Sequence, residues 1–248
     1  MRRVTAVLTG MAAALAWATI ASASNIQLLT NGDFEAGSLA GWTVNDVAGG
    51  SGTFSFDTPG TTTPISAHAT QSTAANGTGY AVSDQTGPGT HALRQSFTVS
   101  SSVSSVILSF DMFANDWDSG PIFGGQGLNH VGVPNQFGRV DILTSGASAF
   151  DTGAGVLANY FTGVDAGADP NAFKHYTFDI TSLVGPGGTF QLRFAETDNQ
   201  SFFNLGVDNV SVVANTVPEP MSLVLLGTGL FGVAARRLRR KKVAKNQQ

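Results

Sequence analysis

No cysteine occurs among the 248 residues, which excludes a disulfide framework, a thiolate metal site, an iron–sulfur cluster and a cysteine nucleophile. Charge is scarce too. Only 12% of residues are Asp, Glu, Lys or Arg, about half the usual share, and this argues against a long-helix or coiled-coil protein. Basic residues are nearly missing from the middle of the chain: Arg94, Arg139, Lys174 and Arg193 stand against sixteen carboxylates, a formal balance of −12. Such a surface repels phosphate backbones and leaves nucleic acid out as a partner. The four histidines, His68, His91, His130 and His175, lack HxH and HExxH spacing, so zinc is unsupported. No Gly-rich stretch joins a strand to a helix in the phosphate-cradling pattern. What the chain does have is 30 glycines, 17 phenylalanines and 42% hydrophobic residues, enough for a packed core rather than wholesale disorder.

The remaining basic residues mark the two ends. Arg2 and Arg3 precede an apolar stretch at 4–20 and the small residues Ala21, Ser22 and Ala23, the pattern that a signal peptidase cleaves. Residues 1–23 are therefore expected to be an export signal helix, with an uncleaved anchor as the alternative. At the other end, Pro218, Glu219 and Pro220 are followed by an apolar run at 221–235 and then by Arg236, Arg237, Arg239, Arg240, Lys241 and Lys242. A helix of that length spans about 22 Å, short of the hydrocarbon core of about 30 Å. The basic cluster would hold it to the cytoplasmic side.

This order of parts resembles the PEP-CTERM sorting signal of Gram-negative bacteria that make exopolysaccharide. The resemblance implies a sorting signal at 217–242 before a tail at 243–248, with an exosortase and signal peptidase as export partners. It also implies transient or permanent inner-membrane attachment through the C-terminal helix, and a place in the cell envelope or an extracellular biofilm matrix. An ordinary tail anchor is the alternative.

Residues 24–216 read as one all-β domain. Short β-rich runs at 92–99, 106–114, 139–143, 175–180, 190–195 and 205–213 recur between Gly, Asn, Asp and Pro clusters, and no comparable amphipathic helical pattern lies among them. An antiparallel β-sandwich is expected. The stretch Leu28, Leu29, Thr30, Asn31, Gly32, Asp33, Phe34, Glu35, followed by Gly41 and Trp42, resembles the opening of galactose-binding-like jelly rolls, the fold of many carbohydrate-binding modules. The segments 190–194 and 207–212 are similar to that fold's closing strands. By position, the resemblance implies neighbouring first and last strands and a structural Ca²⁺ held by Glu35 and Asp208, with Asn31 or backbone carbonyls near Gly32 completing the shell. Calcium takes roughly six to eight oxygens. The alternative is that the same carboxylates hydrogen-bond turn backbone.

Two local constellations invite chemistry. The stretch 115–138 is too rich in Gly and Pro to be a strand and is long for a structureless loop. Within it Trp117 is flanked by Asp116 and Asp118, so the ring suits a sugar face and the carboxylates suit its hydroxyls; the other reading is a Trp that tucks the loop onto the core. Asp151, Thr152 and Gly153 mimic the catalytic triplet of aspartic proteases but occur once, so a turn competes with catalysis. No pair of carboxylates is singled out for glycoside hydrolysis. The expectation is a non-catalytic exported protein of the cell envelope or exopolysaccharide matrix, binding polysaccharide or forming matrix. The alternative is a secreted hydrolase using Asp151 or the Asp116 and Asp118 pair.

Overall fold

The computed structural model describes residues 24–216 apart from 61, 69–74, 76 and 119. The signal helix expected at 1–23, Pro218, Glu219, Pro220 and the arginine cluster lie outside the described residues. The strands are β1 (Asn25–Gln27), β2 (Thr43–Asp46), β3 (Thr53–Asp57), β4 (Tyr80–Asp84), β5 (Gly89–Val99), β6 (Val103–Asp116), β7 (Phe137–Thr144), β8 (Val156–Gly163), β9 (Lys174–Asp179), β10 (Gly188–Asp198) and β11 (Phe203–Thr216), with one short helix, α1 (Thr181–Val184). One sheet runs β3-β4-β11-β6-β9, with β1 also paired to β11; the other runs β2-β5-β10-β7-β8. Both are antiparallel. The domain is thus the all-β jelly-roll sandwich that its sequence pattern implies, and its first strand lies against its last.

Alternation explains the long strands. In β6, Val106, Leu108, Phe110, Met112 and Ala114 are fully buried and join the main core, while Ile107, Ser109 and Asp111 between them are less buried, as a two-residue period requires. From β10, Leu192 and Phe194 meet that face. The Phe110 and Phe194 rings touch edge to face with centroids 5.2 Å apart, a favoured aromatic geometry. In β11 the core residues Val207 and Val210 are three apart, so the alternation slips by one residue at Asp208 and Asn209, where Asn209 takes a φ of 50°. A one-residue insertion of this kind is a β-bulge.

The opening segment 28–42 is loop throughout, between β1 and β2, yet it is anchored. Phe34 and Trp42 enter the core with ring centroids 5.7 Å apart, and Trp42 Nε1 donates to the Asn31 carbonyl at 2.9 Å. Burying a side chain of this size contributes about 1.5–3 kcal/mol.

Candidate ligand-binding cavity

Strand register builds the cavity. Asp198 at the end of β10 stands opposite Gly89 at the start of β5, so the turn at 85–88 before β5 and the turn at 199–202 after β10 lie side by side. Since β4 and β11 belong to one sheet and β5 and β10 to the other, both turns sit where the chain changes sheet. Between them is a cavity of about 270 Å³ lined by these turns, Asp198 among them. Its walls carry the Gln85, Thr86, Asn199, Gln200 and Ser201 side chains and one aromatic ring, Phe202, which is 36% exposed.

Polar contacts fix this geometry. Gln85 Nε2 donates to Asp198 Oδ2 at 2.7 Å, and the Gln200 amide donates to Asp198 Oδ1 at 3.2 Å. Gln136, fully buried, accepts from the Gln200 and Ser201 amides through Oε1 and donates through Nε2 to Asp116. Asn199 donates to the His130 and Val133 carbonyls and accepts from the Asn135 amide. The long stretch 117–136 is therefore tied to the cavity rim rather than free.

The sequence-predicted trio separates. Asp116 turns inward and is buried; Trp117 donates its backbone N–H to the Phe202 carbonyl at 3.1 Å; Asp118 is exposed. The Trp117 ring packs on His68, with centroids 4.9 Å apart, and His68 packs on Phe202 at 3.8 Å. Trp117 thus backs a three-ring cluster whose member in the cavity is Phe202. Neither Asp116 nor Trp117 lines the cavity itself.

Carboxyl groups crowd this end without a Lys or Arg partner among the described residues. Burial, with Asp116 nearby, pushes the Asp198 carboxyl up to about 6, and burial likewise raises Asp116. One layer deeper, Glu196 is fully enclosed. Burial, then the neighbouring Asp198, drives its carboxyl far above the usual range, with only partial relief from the nearby Ser83. His91 Nε2 lies 3.8 Å from Glu196 Oε1. The four basic residues of the domain are engaged elsewhere: Arg94 with Asn45 and Gln191, Arg139 and Arg193 with Asp141, and Lys174 with Asp165.

The residues implied as calcium ligands lie around the opening loop. Glu35 accepts from the Thr78 amide at 2.7 Å, the Thr78 hydroxyl at 2.9 Å and the Gly79 amide at 3.2 Å, and these bonds lower its pKa. Asn31 donates to the Ser38 and Ala40 carbonyls and accepts from the Ala36 amide. Asp208 is buried and accepts from the Asn209 amide at 2.7 Å. The Gly32 carbonyl accepts from the Val210 amide at 2.8 Å, joining the loop to the β11 bulge. Among the described residues no group of three or more His, Asp or Glu side chains converges as a metal cluster, so a cation here would draw on amide and backbone oxygens as well. Asp151 closes a turn: its oxygens accept from the Gly153 and Gly155 amides.

Residues 216–240 match the PEP-CTERM protein-sorting motif, which marks the chain as exported and envelope-targeted. Among the described residues no helix is long and apolar enough to cross a membrane. No curated protein matches the chain. Among solved structures, the chain is similar to the carbohydrate-binding module TmCBM61 in complex with β-1,4-galactotriose (10% identity, 75% of this chain and 97% of that one, TM-score 0.46). It is also similar to the Stig cyclase Fisc from Fischerella sp. TAU (18%, 79% and 100%, TM-score 0.46). A third similar structure is a family 11 carbohydrate-binding module from Clostridium thermocellum in complex with a β-1,3-1,4-mixed-linked tetrasaccharide (15%, 77% and 96%, TM-score 0.40).

Proposed function

We propose that this is an exported, non-catalytic glycan-binding protein of the cell envelope, and that it takes sugar in the cavity between the 85–88 and 199–202 turns. The observation that carries the reading is the lining: amide, hydroxyl and carboxylate groups surround one exposed ring, Phe202. A sugar needs both, since its hydroxyls seek donors and acceptors while its C–H face seeks an aromatic surface. At about 270 Å³ the cavity is smaller than the roughly 300–1,000 Å³ of drug-sized sites, which suits a chain end or a single unit. The turn role of Asp151 and the exposure of Asp118 favour binding over hydrolysis.

Titrating the full-length protein in detergent against soluble plant and bacterial polysaccharide fragments tests this. Phe202→Ala is expected to weaken binding about tenfold, the loss of an aromatic contact worth about 1.4 kcal/mol, whereas Phe123→Ala, an exposed ring elsewhere on the 117–136 stretch, leaves it unchanged. Silence across the panel, or equal affinity in Phe202→Ala, would remove the reading. Cleavage products that disappear when Asp151, Asp116 and Asp118 are replaced by Asn would replace it with the hydrolase.

We further propose that Glu35 and Asp208 hold a structural Ca²⁺, with oxygens of Asn31 and the backbone near Gly32 contributing. The donor chemistry suits a hard cation, being oxygen throughout. Chelation is then expected to lower the melting temperature by several degrees and excess Ca²⁺ to restore it, because an ion that binds only the folded state stabilises it by mass action. Superimposable melting curves with and without chelator would end the proposal.

A further inference from the structure

One buried acceptor in the cavity lining, Gln85 Oε1, has no hydrogen-bond partner. Six buried side-chain atoms among the described residues lack a partner at hydrogen-bonding geometry: Gln85 Oε1, Asn115 Nδ2, Asp116 Oδ2, both oxygens of Glu196 and Asn204 Oδ1; of these residues, Gln85 is the one in the cavity lining. Gln85 Oε1, an amide carbonyl oxygen, is an acceptor, whereas the Glu196 carboxyl, raised far above the usual range, carries its own O–H donor. Gln85 is 1% exposed and lines the cavity; its amide nitrogen is spent on Asp198, so its unpartnered carbonyl oxygen stands beside a carboxylate. Buried polar groups are normally satisfied, and an acceptor left bare costs about as much as a lost hydrogen bond. The group missing here is a donor.

The electrostatic surroundings narrow what that donor is. Asp198 is the single charged side chain in the lining. Asp116 and Glu196 lie behind it, and among the described residues no Lys or Arg is paired to any of the three. By contrast, the polar cavity on the outer face of the five-stranded sheet carries Arg94. A neutral hydroxyl offers one donor and brings acceptors of its own; an ammonium offers three donors, no acceptor and a positive charge. Phe202 adds a ring face, which attracts a cation as well as a sugar's C–H surface.

We propose that the cavity selects a sugar carrying a free, protonated amine, its ammonium directed at Asp198 and the Gln85 carbonyl and its ring against Phe202. This rests on the glycan-binding reading above and names its ligand class. The ligand would be an unsubstituted amino sugar in a polysaccharide, and acylation of the nitrogen, which removes both the charge and two donors, would abolish the preference.

The test compares four probes at pH 7 and low salt on the full-length protein: a β-1,4-linked glucosamine tetramer, its fully N-acetylated counterpart, a galacturonate tetramer and a lysine tetrapeptide. The glucosamine tetramer is expected to bind about tenfold or more tighter than the acetylated one, as a charge-assisted bond to a desolvated carboxylate allows, and the galacturonate tetramer most weakly. Asp198→Asn should bring the two glucosamine forms within about twofold, and Gln85→Leu should lower the preference separately if the first variant folds poorly. Equal affinity for the free and acetylated tetramers overturns the amine assignment while leaving glycan binding intact. If the lysine tetrapeptide binds as tightly as the glucosamine tetramer, the site reads amines rather than sugars and the proposal fails. Absence of binding to every saccharide removes both readings together.

Discussion

Replacing Arg193 with alanine is expected to destabilise the domain by about 3–5 kcal/mol, the cost of breaking a buried ion pair from one side. Arg193 is fully buried. Its Nε and Nη2 donate to Asp141 Oδ2, while Nη1 donates to the Ala149 and Asp151 carbonyls at 2.8 Å each. Asp141, equally buried, also takes Arg139 and Asn159. Burial lowers the Arg193 pKa, with Asp141 opposing the shift, but a guanidinium stays protonated throughout the range in which proteins fold. The truncation leaves the Asp141 charge with one partner fewer and frees the 145–155 loop that Arg193 fastens to the outer face of β7 and β10. For a domain of this size each kcal/mol moves the melting temperature by about 2–4 °C, so a drop of about 12 °C is expected, read by calorimetry alongside urea unfolding. Adding Asp141→Asn to Arg193→Ala should recover part of the loss, because the stranded charge is then gone. A single-variant cost below about 1 kcal/mol would mean that water reaches Asp141 and that the network is not a dry one.

That network also shows where the sequence was readable. Strands β5, β6, β7, β9, β10 and β11 announce themselves by apolar alternation or by long apolar runs. Strand β8 does not: it is an edge strand with residues such as Leu157 exposed, and its pairing with β7 is irregular between Val140 and Asp141 and again between Ile142 and Leu143, so no clean period survives. Strands β1 and β2 are three and four residues long, too short for a pattern. Within the site, the oddity of Asp116 and Trp117 was legible: Trp117 is bonded to the 199–202 turn directly and Asp116 through Gln136. The cavity's own residues come from turns more than a hundred positions apart, and only the pairing of Asp198 with Gly89 brings them together. One signal was available. In β10 the inward series Phe190, Leu192, Phe194 continues in the same phase with Glu196 and Asp198, so two carboxylates fall where the period demands apolar side chains.

Those two carboxylates carry the second large expectation: acidification from pH 7.5 to about 5 should stabilise the domain. A carboxyl whose folded pKa exceeds its unfolded value binds more protons when folded. Its contribution is complete below the unfolded value, near 3.8 for Asp198, and is lost as pH rises through about 6. Glu196, raised well beyond that, acts in the same direction and extends the loss to higher pH. His130, depressed by burial, opposes both as pH falls below its ordinary 6.5, and Glu35 and Asp179, lowered by their hydrogen bonds, begin to cost stability only in more acidic solution. A stability maximum near pH 5 follows. Asp198→Asn separates the charge from the shape. Two pKa units correspond to about 3 kcal/mol, from which the loss of one of two accepted hydrogen bonds removes about 1, so the variant should be about 2 kcal/mol more stable than the parent at pH 7.5 and about 1 kcal/mol less stable at pH 3, below the unfolded value. Denaturant midpoints at the two pH values decide it, and a change of the same sign at both would mean that Asp198 is already well solvated. A reversal of sign would instead identify a carboxylate kept ionised at a stability cost inside a cavity, the condition under which a cationic ligand gains most by entering, because it supplies the compensating charge that no residue of the domain provides.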